Sequence, residues 1–182
     1  MPGMVYSGIM KLVAGGAMMC AALLSAQTLP PAGADPWKAL SFLEGTWEAR
    51  TARGKPDVNA AGTYIFRKEL SGHILARHSS SAGCKGPADF DCQHGDLLYV
   101  FQDATGQPLK AIYFDNEGHV IHYSVSTPSP ASAVFLSDPS APGPQFRLVY
   151  ELKGGLMSGR FQMRMPGKTE WMSYLEWSGA KK

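Results

Sequence analysis

From Thr46 to Ser178 the chain reads as a succession of short β-type runs with almost no room for helices between them. The runs are TWEART, GTYIFRKEL, HILARHSSS, DLLYVFQD, PLKAIYFD, HVIHYSVST, SAVFLSD, QFRLVYELK, LMSGRFQMRM and EWMSYLEWS. Turn chemistry separates them: Ser71-Gly72, DATGQ, DNEG, the Pro/Ser-rich DPSAPGP and LKGG. About ten strands recurring at roughly ten-residue intervals predict an all-β, antiparallel meander that closes as a sandwich or barrel. Closure matters physically, because it removes the exposed edges an open sheet would leave.

Alternation supports the strand assignment. Met157, Phe161, Met163 and Met165 share one face of their run, and Ser158, Arg160, Gln162 and Arg164 share the other. Phe146, Leu148, Tyr150 and Leu152 oppose Arg147, Val149 and Glu151, and Trp171, Leu175 and Trp177 oppose Glu170, Met172, Tyr174 and Glu176. One face then packs inward and the other meets water.

The start of the chain has a different character. Residues 1–26 carry a single charge, Lys11, followed by the apolar run Leu12–Leu24. That run is too short to span a bilayer and reads as a signal peptide, so the protein is expected to be exported, either periplasmic or secreted. Cleavage fits after Ala26, or as late as Ala34 after the small-x-small Ala32-Gly33-Ala34. A lipid anchor on Cys20 is the rival, opposed by the bulky Met18-Met19 before it. Residues 27–36 form a linker and 37–178 the single barrel domain. No transmembrane segment is expected in the mature chain.

Asp35-Pro36 is a helix start, with Asp as N-cap and Pro in the first turn. Trp37, Leu40 and Leu43 recur at helical spacing up to Gly45, so a short helix of about two turns should lie across one barrel end. Gly45 permits a tight helix-to-strand junction. Trp47 then enters the first strand, where its ring plugs the barrel floor. Phe42-Leu43-Glu44-Gly45-Thr46-Trp47 resembles the Gly-x-Trp first-strand signature of the calycins, that is, lipocalins and fatty-acid-binding proteins. It is closer still to the FL-x-G-x-W motif of lipocalin-like bacterial domains of unknown function and of nitrobindin-type heme barrels, and AGTYIFRKELSGHIL is similar to their second hairpin. The resemblance implies a lipocalin-like barrel. Nitrobindin-type barrels hold heme through a histidine in the last strand; here that strand has Tyr174 and no histidine, so no cofactor is expected.

The charge balance, with 17 Lys and Arg against 15 Asp and Glu, shows no basic stripe and argues against nucleic-acid binding. Cys84 and Cys92 flank a Gly/Pro/Asp loop and, in an oxidising compartment, are expected to form a disulfide. A metal site with His94 and Asp89 or Asp91 is the weaker alternative, since zinc wants shorter cysteine spacing and four ligands. Asp115-Asn116-Glu117-Gly118 lacks the alternating ligands of a calcium loop and is expected to be a hairpin turn, so no metal site is expected.

No G-x-S-x-G elbow, P-loop, dinucleotide fingerprint or H-E-x-x-H is present, and no catalytic residues are assigned. The expected function is binding of a small, mostly apolar molecule inside the barrel. Tyr113, Phe161 and Met163 are expected in the lining, with His78, Tyr99 and Tyr123 as polar anchors. An arginine pointing inward from a strand, among them Arg77, could clamp a ligand carboxylate bidentately. Two alternatives stay open: a cell-envelope interaction module whose barrel is filled by its own side chains, and an enzyme using an inward histidine.

Overall fold

The computed structural model describes residues 35–51, 61–80, 93–139 and 142–182. The expected signal peptide and most of the linker lie outside the described residues, as do Cys84 and Cys92. Ten strands follow one another: β1 Gly45–Thr51, β2 Ala61–Glu69, β3 Ile74–Ser80, β4 Asp96–Phe101, β5 Lys110–Asp115, β6 Val120–Ser129, β7 Ser132–Ser137, β8 Gln145–Lys153, β9 Leu156–Arg164 and β10 Met172–Lys181. Each pairs antiparallel with the next, and β10 returns to pair with β1, so the sheet is a closed meander barrel. This architecture is consistent with a lipocalin- or calycin-like fold. The last strand runs on to Lys181, which pairs with Trp47. No helix among the described residues is long and apolar enough to cross a membrane.

The segment before β1 starts as expected and then departs from expectation. The Asp35 carboxylate accepts the Trp37 N–H at 3.0 Å, and Pro36 opens helix α1, Pro36–Ala39. The helix stops after one turn, and a 3-10 turn follows over Ser41–Leu43. Leu40 and Leu43 are both buried, at 1% and 0% exposure. Gly45 then turns the chain into β1 at φ +127°, a conformation that disfavours any side chain. Trp47 is 1% exposed and donates its indole N–H to the Leu43 carbonyl at 2.8 Å, which ties β1 to the turn.

The end of the barrel where β1 starts is filled. Leu40, Leu43, Trp47, Phe66, Leu75, Val100, Ala111, Phe135 and Met157 all belong to one buried cluster. Tyr150 sits within it, with ring contacts to Tyr64, Phe66, Phe135 and Trp177 at centroid distances of 5.3–6.1 Å. Each large side chain buried in this way contributes about 1.5–3 kcal/mol.

Two features correct the reading of the last strands. The β9–β10 pairing slips between Ser173 and Leu175, so Met172 shares the inward phase with Leu175 and Trp177. Such a bulge leaves one extra residue, here Tyr174, and reverses the alternation before it. Trp171, expected inward, instead lies between the guanidinium groups of Arg147 and Arg164, 4.3 and 4.8 Å from its ring.

Trp177 faces Gly159 across the β9–β10 pair, and a Cβ at Gly159 would lie 2.1 Å from the indole. The ring cannot yield without displacing Tyr150. Gly159→Ala is therefore expected to destabilise the fold by about 1–3 kcal/mol, read as a lowered urea midpoint with unchanged slope.

Candidate functional site

The barrel interior changes character along its length. Around the β1 start most inward side chains are buried, with Ala49 and Leu152 partly so. Toward the other end, where the β5–β6 turn lies, the inward Tyr113, Ile121, Phe146, Phe161 and Met163 are only partly buried. Phe146 and Phe161 stack at 5.5 Å and 9°, forming a flat apolar wall on β8 and β9. Met172 and Leu175, both exposed, continue this wall at the rim.

Between filled and open halves sits a polar group of side chains. Arg77, on the inward phase of β3, is 5% exposed. Its guanidinium donates to the Tyr150 hydroxyl and to the Asp96 carboxylate. Burial by itself would push the Arg77 pKa down, but Asp96 and Tyr150 hold it above its ordinary value, so the group stays charged. Burial likewise opposes ionisation of Asp96, yet the Arg77 charge and the His94 hydrogen bond hold that carboxyl at about 2. The pair is thus ionised and internally neutral.

Burial raises the pKa of Tyr64, Tyr113, Tyr123 and Tyr150, so these phenols remain protonated. Among the described residues, four buried polar atoms have no hydrogen-bond partner: Arg77 Nε, Tyr64 Oη, Tyr123 Oη and Trp177 Nε1. The Trp177 indole approaches the Tyr64 hydroxyl closely enough to moderate its pKa, but the two do not complete a hydrogen bond.

At the open end His94 is wedged among acceptors. Its Nε2 lies 3.6 Å from Asp96 Oδ2 and 3.3 Å from the Tyr113 hydroxyl, and its Nδ1 lies 3.3 Å from Glu117. The Asp96 interaction, opposed by burial and helped by Glu117, pushes the His94 pKa up to about 9. Asp115, Glu117 and His119 gather nearby with ligand atoms within 4.8 Å. Asp115 Oδ1 accepts the backbone N–H groups of Glu117 and His119 at 3.0 and 2.9 Å, and Oδ2 accepts from Tyr113 and pairs with His119 Nδ1. This is the self-bonded hairpin turn anticipated from DNEG.

Four of the six expected ligand-binding residues face the interior. Tyr113, Phe161 and Met163 line the open half, and Tyr123 is buried deeper, edge-on to Phe135 at 6.2 Å. His78 and Tyr99 do not. They form an edge-to-face pair at 6.2 Å on the outer surface, with His78 Nε2 3.2 Å from Glu69. The phase of β3 explains this: Leu75 and Arg77 point inward, whereas Ala76 and His78 point outward. In β4 the inward set is Asp96, Leu98 and Val100, and Tyr99 lies on the other face. Tyr174 is 72% exposed at the bulge, against the edge of Phe161. Gly45 and Trp47 take their expected structural places.

Arg77, Asp96 and Tyr150 were not singled out as a unit in the sequence, although Arg77 was among the arginines whose inward turn would matter. HILARHSSS carries apolar residues in both phases, so it does not declare its inner face. Arg77 does turn inward, where its two terminal nitrogens donate to Tyr150 and Asp96.

Two outcomes follow. Arg77→Met should cost about 3–5 kcal/mol, since it strands a buried carboxylate, and Arg77→Met with Asp96→Leu should recover most of that loss. Urea denaturation of the three proteins checks this. His94 gains protons on folding, so its contribution is complete below its ordinary 6.5 and disappears as pH rises through about 9. The melting temperature of the parent protein should therefore fall relative to His94→Gln across that window and converge above it.

Compared with known proteins, the chain matches no protein-family profile and no curated sequence.

Proposed function

We propose that this protein is a lipocalin-like carrier that takes a small, mostly apolar molecule into the open half of its barrel. One observation carries the reading: inward side chains around the β1 start are mostly buried, whereas Tyr113, Ile121, Phe146, Phe161 and Met163 toward the other end are only partly so. Such a lining, with a few polar groups at its base, is the composition of a ligand pocket. In this reading the segment Pro36–Leu43 closes the opposite end, the chain is exported after loss of residues 1–26, and a Cys84–Cys92 bridge staples a loop. Its kinship is to lipocalin-like bacterial domains and, more distantly, nitrobindin-type barrels, as the Phe42–Trp47 motif suggests.

A second reading is favoured by a different surface. Leu97, Tyr99, Ile112, Phe114, Val120 and Ile65 lie on the outward phase of β2 and β4–β6, with Val120 and Ile65 53% and 38% exposed. An interaction module of the cell envelope would use such a stripe.

Fluorescence of 1-N-phenylnaphthylamine separates the two. The carrier reading expects saturable enhancement by the folded protein and a loss of about tenfold in affinity for Phe161→Asp, which places a charge in the wall. Absence of saturable binding, together with a bare mass by native mass spectrometry after exported expression, would favour the interaction module.

A further inference from the structure

The hairpin of β9 and β10 gathers exposed apolar side chains. β9 ends at Arg164, and Met165-Pro166-Gly167-Lys168 turns the chain back, with the Lys168 N–H donating to the Met165 carbonyl at 3.0 Å. Pro stands second in that turn and Gly167, at φ +73°, third, which is the pattern of a type II turn. The turn holds Met165 and Lys168 at the tip, both exposed. Around the β10 bulge Met172, Tyr174 and Leu175 are exposed as well, at 47%, 72% and 39%. Of the eight large apolar residues exposed among the described residues, four lie within residues 165–175. Clustering of this kind marks an interaction surface, whereas single exposed apolar residues do not.

Basic groups accompany the apolar strip. Arg147 and Arg164 lie against the Trp171 ring, and Lys168 stands at the tip. Arg147 Nε donates to Gln162 at 2.9 Å and Arg164 donates to Gln145, so both rest on neutral amides. Among the described residues no carboxylate pairs with Arg147, Arg164 or Lys168. The neighbouring acids are engaged elsewhere: Glu170 accepts from Thr169, Glu176 accepts from Ser173, and Glu151 pairs with Arg160. A soluble anion would use the arginines and leave the methionines and Leu175 in water. An apolar partner would cover those and desolvate unpaired cations. A bilayer surface with anionic headgroups satisfies both, because aromatic rings and long basic side chains settle at the headgroup level and apolar side chains just beneath it.

We propose that the β9–β10 hairpin docks on an anionic phospholipid surface, with Arg147, Arg164 and Lys168 meeting the headgroup phosphates and Met165, Met172, Tyr174 and Leu175 reaching the acyl boundary. The hairpin turns at the end of the barrel where the stacked Phe146 and Phe161 are only partly buried, and Met172 and Leu175 continue that wall outward. Docking on this face therefore turns the open half of the barrel toward the bilayer. The proposal goes beyond the carrier reading and does not depend on it, since a barrel without a guest presents the same hairpin.

The test is tryptophan quenching of the full-length protein by vesicles of brominated phosphatidylcholine, pure or mixed with phosphatidylglycerol. The variants are Trp171→Phe, which keeps a ring beside the arginines, the double substitution Arg147→Gln with Arg164→Gln, Met172→Ser, and Lys153→Gln at the far end of β8 as a control. Residues 1–34 are common to all of them, so only differences between the proteins are read. The expected result is quenching on mixed vesicles that Trp171→Phe largely abolishes. The double variant should partition about twentyfold more weakly, roughly fivefold for each basic side chain near an anionic surface. Met172→Ser should weaken partition less, and Lys153→Gln should leave it unchanged. Equal quenching on neutral vesicles would overturn the proposal, because the arginines would then not be read. A loss in Lys153→Gln as large as in the double variant would overturn it in favour of diffuse attraction. Quenching that survives Trp171→Phe would place the contact elsewhere on the chain. An unquenched parent that sediments as a dimer, split by Met172→Ser, would assign the hairpin to a second copy; an unquenched monomer would overturn the proposal outright.

Discussion

The pairing of β10 with β1 is the constraint on which the rest depends. Residues 172–181 return to residues 45–51, the ring of hydrogen bonds closes, and no edge strand is left. Closure fixes an inside whose volume must be filled, lined or left open. At one end the solution is large rings fitted over small residues. Trp177 lies over Gly159, and the Tyr64 hydroxyl comes within 2.9 Å of where a Gly179 Cβ would stand. At the other end the lining thins and the inward side chains meet solvent. Tyr150, with its four ring partners, lies at the level between the two.

That level is also where polarity enters. Packing alone would be served nearly as well by aliphatic residues in place of Arg77 and Asp96, because a buried ion pair seldom repays its desolvation. The pair is nonetheless integrated with its surroundings. Asp96 links inward to Arg77 and outward, through His94, to Glu117 on the β5–β6 turn. One strand start thus couples the interior to the rim. The electrostatics are graded in the same direction: a compensated pair inside, an exchangeable imidazole proton at the mouth, and a solvated carboxylate on the turn.

Much of the fold was legible in the sequence because its signals are local. Turn dipeptides and period-2 runs gave the strand number and order, Asp35-Pro36 gave the helix start, and Gly45-Thr46-Trp47 gave the entry into β1. What was not legible depends on contacts between distant residues. DLLYVFQD is apolar in both phases, so nothing within it says that Leu98 rather than Tyr99 faces inward; pairing with Arg77 and Tyr113 decides that. A bulge at Tyr174 shifts every residue before it, and no residue type there announces it. The one-turn helix is the same kind of case, since nothing in the spacing of Trp37, Leu40 and Leu43 marks the end of the helix at Ala39. The inward phase of Phe161 and Met163 was legible by alternation, and Tyr113 was named only as an aromatic on a strand, whereas Arg77 with Asp96 required the phase of two ambiguous strands.

The unpartnered donors bear on why such an interior would persist. A hydroxyl or indole N–H left unpaired and buried costs about 1–3 kcal/mol, and a phenylalanine at Tyr64 or Tyr123 would avoid the cost with little change of shape. The cost of three such atoms, Tyr64 Oη, Tyr123 Oη and Trp177 Nε1, is a substantial fraction of the 5–15 kcal/mol or so by which a domain is ordinarily stable. Buried water can meet part of that demand where a site is roomy and polar. Packing alone gives no reason for them, since the rings that carry these atoms would fill the barrel equally well without them.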